Sequence, residues 1–212
     1  MMVNRLILEG DDDKYVVWNL LYNHTYQGRC LREYFDDQTS LKIKDGVDNL
    51  IDTMGDELQA TDLGVLGVIL DADVNLANQW ARVTRVLDKH GCRNVPPVPN
   101  VDGTIVVSNN GKKVGIWVMP DNQHAGALED FVGNLIAAND ALWPKAKADV
   151  DSIPATDRRF KVAYQSKAQV HTWLAWQEEP GTRMGETFKK RYLDPNHPRA
   201  MAFVAWIKRL LA

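Results

Sequence analysis

Residues 6–21 read Leu-Ile-Leu-Glu-Gly-Asp-Asp-Asp-Lys-Tyr-Val-Val-Trp-Asn-Leu-Leu. An apolar run ends in an acid and a glycine, three aspartates follow, and a second apolar run begins. Residues 3–9 suit a buried strand, whereas residues 13–26 place Tyr15, Val16, Trp18, Leu20 and Leu21 at mainly helical spacing. The acids therefore sit at a strand-to-helix junction.

The same alternation continues along the chain. Residues 40–44 form a second strand segment, and Val47, Leu50, Ile51 and Met54 repeat with helical period in the segment after it. Residues 64–73 (GVLGVILDAD) are the most apolar run and read as the central parallel strand, followed by a helix that Gly91 closes. Strands alternating with helices imply an α/β fold, a mostly parallel sheet flanked by helices. Residues 104–119 break the rhythm, because Asn109-Asn110-Gly111-Lys112 between two apolar runs marks an antiparallel hairpin at the sheet edge. From residue 126 the pattern turns helical, ending in a helix that Pro198 begins. We expect one globular unit, with an α/β core over 1–135 and a helical C-terminal extension over 136–212 packed on it.

Composition limits function. The 212 residues carry 25 Lys+Arg against 28 Asp+Glu, a net charge of −3, so no global basic field draws the chain to nucleic acid. Cys30 and Cys92 match neither a disulfide framework nor a metal-binding spacing, and the five histidines show no zinc pattern. No run of ~18 apolar residues and no cleavable leader is visible, so the expectation is a cytoplasmic protein without membrane contact.

In an open α/β sheet, ligands collect at the carboxyl ends of the strands. Glu9 ends the first strand and Asp71 the central one, with Asp73 two residues beyond, so three oxygen donors are expected to converge there. Such a set fits Mg²⁺ or Mn²⁺. The plainer alternative for Asp11, Asp12 and Asp13 is capping of the first helix, and for Asp71 and Asp73 a surface turn.

Strand-Glu-Gly, a second strand ending in Asp-x-Asp roughly 60 residues later, and the α/β alternation between them resemble the Toprim domain of topoisomerases, primases and OLD-family nucleases. The stretches IWVMPDN (116–122), GALEDF (126–131) and HTWLAWQEEPG (171–181) resemble the bacterial Toprim-like family labelled DUF3226. The resemblance implies a Mg²⁺- or Mn²⁺-dependent nuclease acting on DNA or RNA, in DNA processing or phage defence. It implies roles for Glu9 as acid/base or ligand and for Asp71 and Asp73 as ligands. A second metal, in the two-metal manner of OLD-like enzymes, would draw on Asp13, Glu129 and Asp130. Glu129 is equally suited to favour a helix N-terminus. Lys167 is a candidate catalytic lysine near the scissile phosphate, against the alternative of a solvated lysine on an amphipathic helix. DNA is the expected partner, and the absence of a GxxxxGK[ST] motif means that any ATPase module is separately encoded.

Two other readings compete. One is a non-catalytic, metal-binding interaction subunit of an ATPase complex. The other is a haloacid-dehalogenase-type phosphatase with Asp71 as nucleophile and Asp73 as acid, but Asn75 departs from that motif and Glu9 has no role in it.

Overall fold

The apolar run before the acids forms β1 (Val3–Leu8), and the three aspartates are the first turn of α1 (Asp11–Tyr22). The computed structural model describes residues 2–35, 41–44 and 46–212. Ser40 and Asp45, which open the expected second strand and the helical segment after it, lie outside the described residues. Helix expected through residue 26 stops four residues earlier. Thr25 and Tyr26 favour extended backbone, and Gln27 and Gly28 take positive φ, 47° and 77°, to turn a small hairpin of β2 (Thr25–Tyr26) and β3 (Arg29–Cys30).

Then follow β4 (Leu41–Ile43), α2 (Val47–Gln59), β5 (Leu63–Asp71), α3 (Leu76–Lys89), β6 (Thr104–Val107) and β7 (Lys113–Met119). The C-terminal part holds α4 (Leu128–Leu135), α5 (Leu142–Asp151), α6 (Gln165–Ala175) and α7 (Pro198–Leu211). Helix α5 has no counterpart in the sequence reading. Its start is set by Asp140, whose Oδ1 accepts from the Leu142 and Trp143 amides at 2.8 and 2.7 Å. Pro144 then falls in the first turn, where its missing N–H leaves no helical bond unmade.

The main sheet has strand order β4-β1-β5-β7-β6. The first four strands are parallel, and β6 runs antiparallel to β7 through the turn that Gly111 makes at φ 81°. Successive residues of a strand face opposite sides. Leu6 and Leu8 thus join α1, α4, α6 and α7 on one face, and Ile7 joins α2 and α3 on the other. Among the described residues no helix is long and apolar enough to cross a membrane.

Helix α7 closes the larger face. Gly67 of β5 and Gly115 of β7 are cross-strand partners, leaving a shallow place without side chains that Leu210 and Trp206 fill. A Cβ on Gly115 would meet both Leu210 methyls at 2.8 and 2.9 Å and Trp206 at 3.1 Å. Leu210 and Trp206 are fully buried, so neither can retreat into solvent. Gly115→Ala should cost about 1–3 kcal/mol, a fall of ~2–4 °C in thermal midpoint per kcal/mol. Differential scanning calorimetry checks this, and an unchanged midpoint would mean that α7 does not press on the sheet here.

Candidate functional site

Four carboxylates gather beyond the carboxyl ends of β1 and β5. Because the two strands are parallel neighbours, Glu9, just past β1, lies beside the end of β5, and its Oε1 accepts from the Asp71 amide at 2.9 Å. Burial pushes the Glu9 carboxyl up to about 7; the Asp71 amide pulls the other way, and the negative charge of Asp73 adds to the rise. Asp71 in turn accepts at Oδ1 from the Leu128 amide, the first of α4, at 3.0 Å. Burial, then the charges of Asp13, Glu9 and Glu129, hold its carboxyl well above the usual range.

The three aspartates of α1 have separate fates, since each helical residue is turned about 100° from the last. Asp11 is exposed, and Asp12 is half-buried, 4.0 Å from the Lys167 ammonium. Asp13 is only 7% exposed. Its Oδ2 accepts from the Gly10 amide at 3.2 Å, closing the first turn of the helix, but its Oδ1 has no partner. Burial, followed by the charges of Glu9 and Glu129, pushes Asp13 up to about 7. Two helix N-termini face the cluster and favour negative charge there. Desolvation outweighs them.

Lys167 at the start of α6 supplies the facing cation. Its Nζ lies 3.1 Å from Glu129 Oε1, whose side chain is 12% exposed. Burial pulls the ammonium down, yet the charge and hydrogen bond of Glu129, then Asp12 and Asp13, leave it above its ordinary value. Asp130, next to Glu129, is engaged elsewhere. It accepts from the Ala127 amide at 2.8 Å and from the Ser166 hydroxyl at 2.5 Å, so it caps α4 while Glu129 faces the cleft.

Asp73 does not line this cleft. Strand β5 ends at Asp71, and Asp73 takes a left-handed φ of 51°, its amide and carbonyl bonded to Gly126 at 2.9 and 2.7 Å. Strand alternation no longer governs its side chain, which turns to accept from Gln79 Nε2 at 2.8 Å. His124 is exposed and paired with Asp121, and Trp173 is buried in the core. Gly46 also lines the cleft, a residue that the sequence reading did not single out. Its φ of 107° lets its amide donate to the Glu9 carbonyl at 3.2 Å, and the Asp-Gly step before a helix is the signal that could have shown it.

The cleft, of about 370 Å³, therefore holds Glu9, Asp13, Asp71 and Glu129 with Lys167 at its side. Among the described residues no group of three or more His, Cys, Asp or Glu side chains is arranged to hold a metal ion. The donor set nonetheless fits a hard cation in chemistry: all oxygen, mutually repelling, with one buried oxygen, Asp13 Oδ1, unpartnered. Side-chain rotation would have to bring the oxygens to a common point.

A family model described as "Protein of unknown function (DUF3226)" matches residues 3–212. No curated protein and no solved structure matches the chain.

The raised carboxyls fix a pH dependence. Unfolded, Glu9 and Asp13 ionise near their ordinary values of 4.5 and 3.8; folded, near 7. Between these limits the folded chain holds more protons, so the contribution of this pair to stability falls as pH rises and levels off above about 7. In EDTA, the Glu9→Gln/Asp13→Asn double variant should gain stability over wild type at about pH 8 and lose that gain by about pH 4. Thermal melts across that range measure it, and a gain independent of pH would mean that these carboxyls do not ionise above their ordinary range.

Proposed function

We propose that this chain, which belongs to the DUF3226 family, binds Mg²⁺ or Mn²⁺ in its acidic cleft and there hydrolyses phosphodiester bonds of nucleic acid, DNA foremost. One observation carries the reading: Glu9, Asp13, Asp71 and Glu129 converge on one cleft, with an unpartnered, buried oxygen on Asp13. Capping explains one oxygen each of Asp13 and Asp71, and Asp130, but it does not explain why Glu9, Asp13, Asp71 and Glu129 converge with the first three largely withdrawn from water. Such a cluster costs stability unless protons or a cation neutralise it.

Asp13, Asp71 and Glu129 would hold the cation. When bound, it would polarise a phosphoryl oxygen and make a water more acidic. Glu9, ionising near 7, sits where a carboxyl can take or give a proton at neutral pH. Lys167 keeps its charge, and once Glu129 turns toward a cation its ammonium is available to a phosphate oxygen. This arrangement supports the likeness to Toprim and OLD-type sites, with one departure: Asp73 would have to leave Gln79 to serve as a ligand. A separately encoded ATPase remains the partner that this reading calls for.

A second reading, a metal-binding interaction subunit without turnover, draws on the lack of a ready-made cage among the described residues and on the ion pair that already occupies Lys167. One experiment separates the two. Wild type should cleave plasmid DNA with Mn²⁺, Asp71→Asn should abolish cleavage, and Lys167→Met should slow it on the order of 10²-fold while Mn²⁺ affinity stays within a few-fold, because an ammonium has no lone pair for a metal. Mn²⁺ binding without cleavage by wild type favours the interaction subunit. Equal cleavage by wild type and Asp71→Asn defeats the nuclease reading.

A further inference from the structure

A cavity of about 860 Å³ lies away from the acids. Helix α1 begins in the acidic cleft and ends at this cavity, so Tyr22 stands about 15 Å along the helix from Asp12. The chemistry reverses over that distance. Asn19, Tyr22, Arg32, Lys189, Arg191 and Tyr192 line the cavity. Against these three cations stands one carboxylate, Asp194, whose Oδ1 is taken by the Asn196 amide at 2.8 Å.

Each part is held in place. The Arg32 guanidinium lies 4.5 Å from the Tyr22 ring centre and 4.9 Å from that of Trp18, which fixes its plane. Arg191 takes a left-handed φ of 61°, unusual for a residue with a Cβ. Its loop is tied by the Tyr192 amide to the Thr187 carbonyl at 2.9 Å and by the Lys190 ion pair with Glu179. Backbone strain of this kind is maintained where the surrounding structure enforces it. Among the described residues no carboxylate pairs with Arg32, Lys189 or Arg191, although the chain is acidic overall.

We infer that this cavity binds a nucleotide, as a free mononucleotide or as the phosphorylated end of a nucleic-acid strand. Arg32, Lys189 and Arg191 provide charge-assisted donors for a phosphate, which arginine meets with two parallel N–H groups. Tyr22 and Tyr192 offer flat apolar surface for a base, and Asn19 and Asn23, whose Nδ2 groups donate to the Gly185 and Asn19 carbonyls, line the same wall. The volume lies in the range of small-molecule sites. This site does not depend on the activity proposed for the acidic cleft.

Calorimetric titration of the intact chain in EDTA, which keeps divalent metal out of the cleft, tests it. AMP should bind with Kd below ~1 mM, and at least about tenfold more tightly than either inorganic phosphate or adenosine. Lys189→Ala with Arg191→Asn should weaken AMP about tenfold or more. Asparagine tolerates the left-handed backbone and Lys189 is exposed, so both changes suit the fold; Arg32→Gln, read the same way, serves if the double variant unfolds. Asp71→Asn should leave AMP binding unchanged, which separates this site from the acidic cleft. Tighter binding of 5′-phosphorylated hexathymidylate than of AMP assigns the ligand to a strand end, and the reverse order to a free nucleotide. Binding of neither, phosphate binding equal to AMP, or AMP binding indifferent to these substitutions overturns the inference.

Discussion

Two parallel strands that end side by side bring their last residues together whatever those residues are. Here the residues are Glu9 and Asp71, and the bond from the Asp71 amide to the Glu9 carboxylate ties the two strand ends at 2.9 Å. The arrangement is self-opposing. A bond that favours the charged Glu9 sits where burial and neighbouring carboxylates disfavour charge, and the balance falls on the side of the proton. Asp13 and Asp71 are in the same position. The site thus stores unfavourable electrostatics that only a proton or a cation relieves.

The rest of the fold holds that cluster closed. Helices α1 and α4 both start at the cleft, so their first turns bring Asp13 and Glu129 to it, while the backbone amides of those turns engage Asp13 and Asp71. Both helices pack in the larger core beneath α7, which reaches the sheet over the Gly67 and Gly115 pair. Helix α6 brings Lys167 across from the far end of the sequence. Four helices from distant parts of the chain are therefore committed to one face, which makes the C-terminal third integral to the site rather than an appendage. The basic cavity at the other end of α1 belongs to the same packing, since the loop that carries Lys189 and Arg191 follows the turn packed on Tyr15.

Much of this was legible because it rests on local pattern. The apolar runs at 3–9 and 64–73 mark strands by length and flanking breakers, the Asn-Gly turn marks the β6–β7 hairpin, and the α/β alternation fixes the layer order. The convergence of Glu9 and Asp71 follows from parallel topology alone. What stayed illegible depends on geometry beyond the local period. Asp73 was expected at the site by strand alternation, but its left-handed backbone ends that alternation and hands its carboxylate to Gln79. Glu129 and Asp130 are neighbours with opposite roles, and only the position of Ser166 and Lys167 on α6 separates them. Helix α5 lacks a strong apolar stripe, with Ala146 and Val150 as its buried residues, so its periodicity is faint. The basic cavity joins residues ~170 apart in the sequence, a pairing that no spacing rule reaches.

If this acidic cluster holds protons where the proposed divalent cation would bind, protons must leave as the cation enters. Calorimetry at about pH 6.5 in buffers of different ionisation enthalpy counts the protons released when Mn²⁺ binds. Ionisation of Glu9 and Asp13 near 7 predicts a release on the order of one proton per Mn²⁺ bound, diminishing as pH rises above that value. Mn²⁺ binding with no proton release, or no Mn²⁺ binding at all, would contradict it.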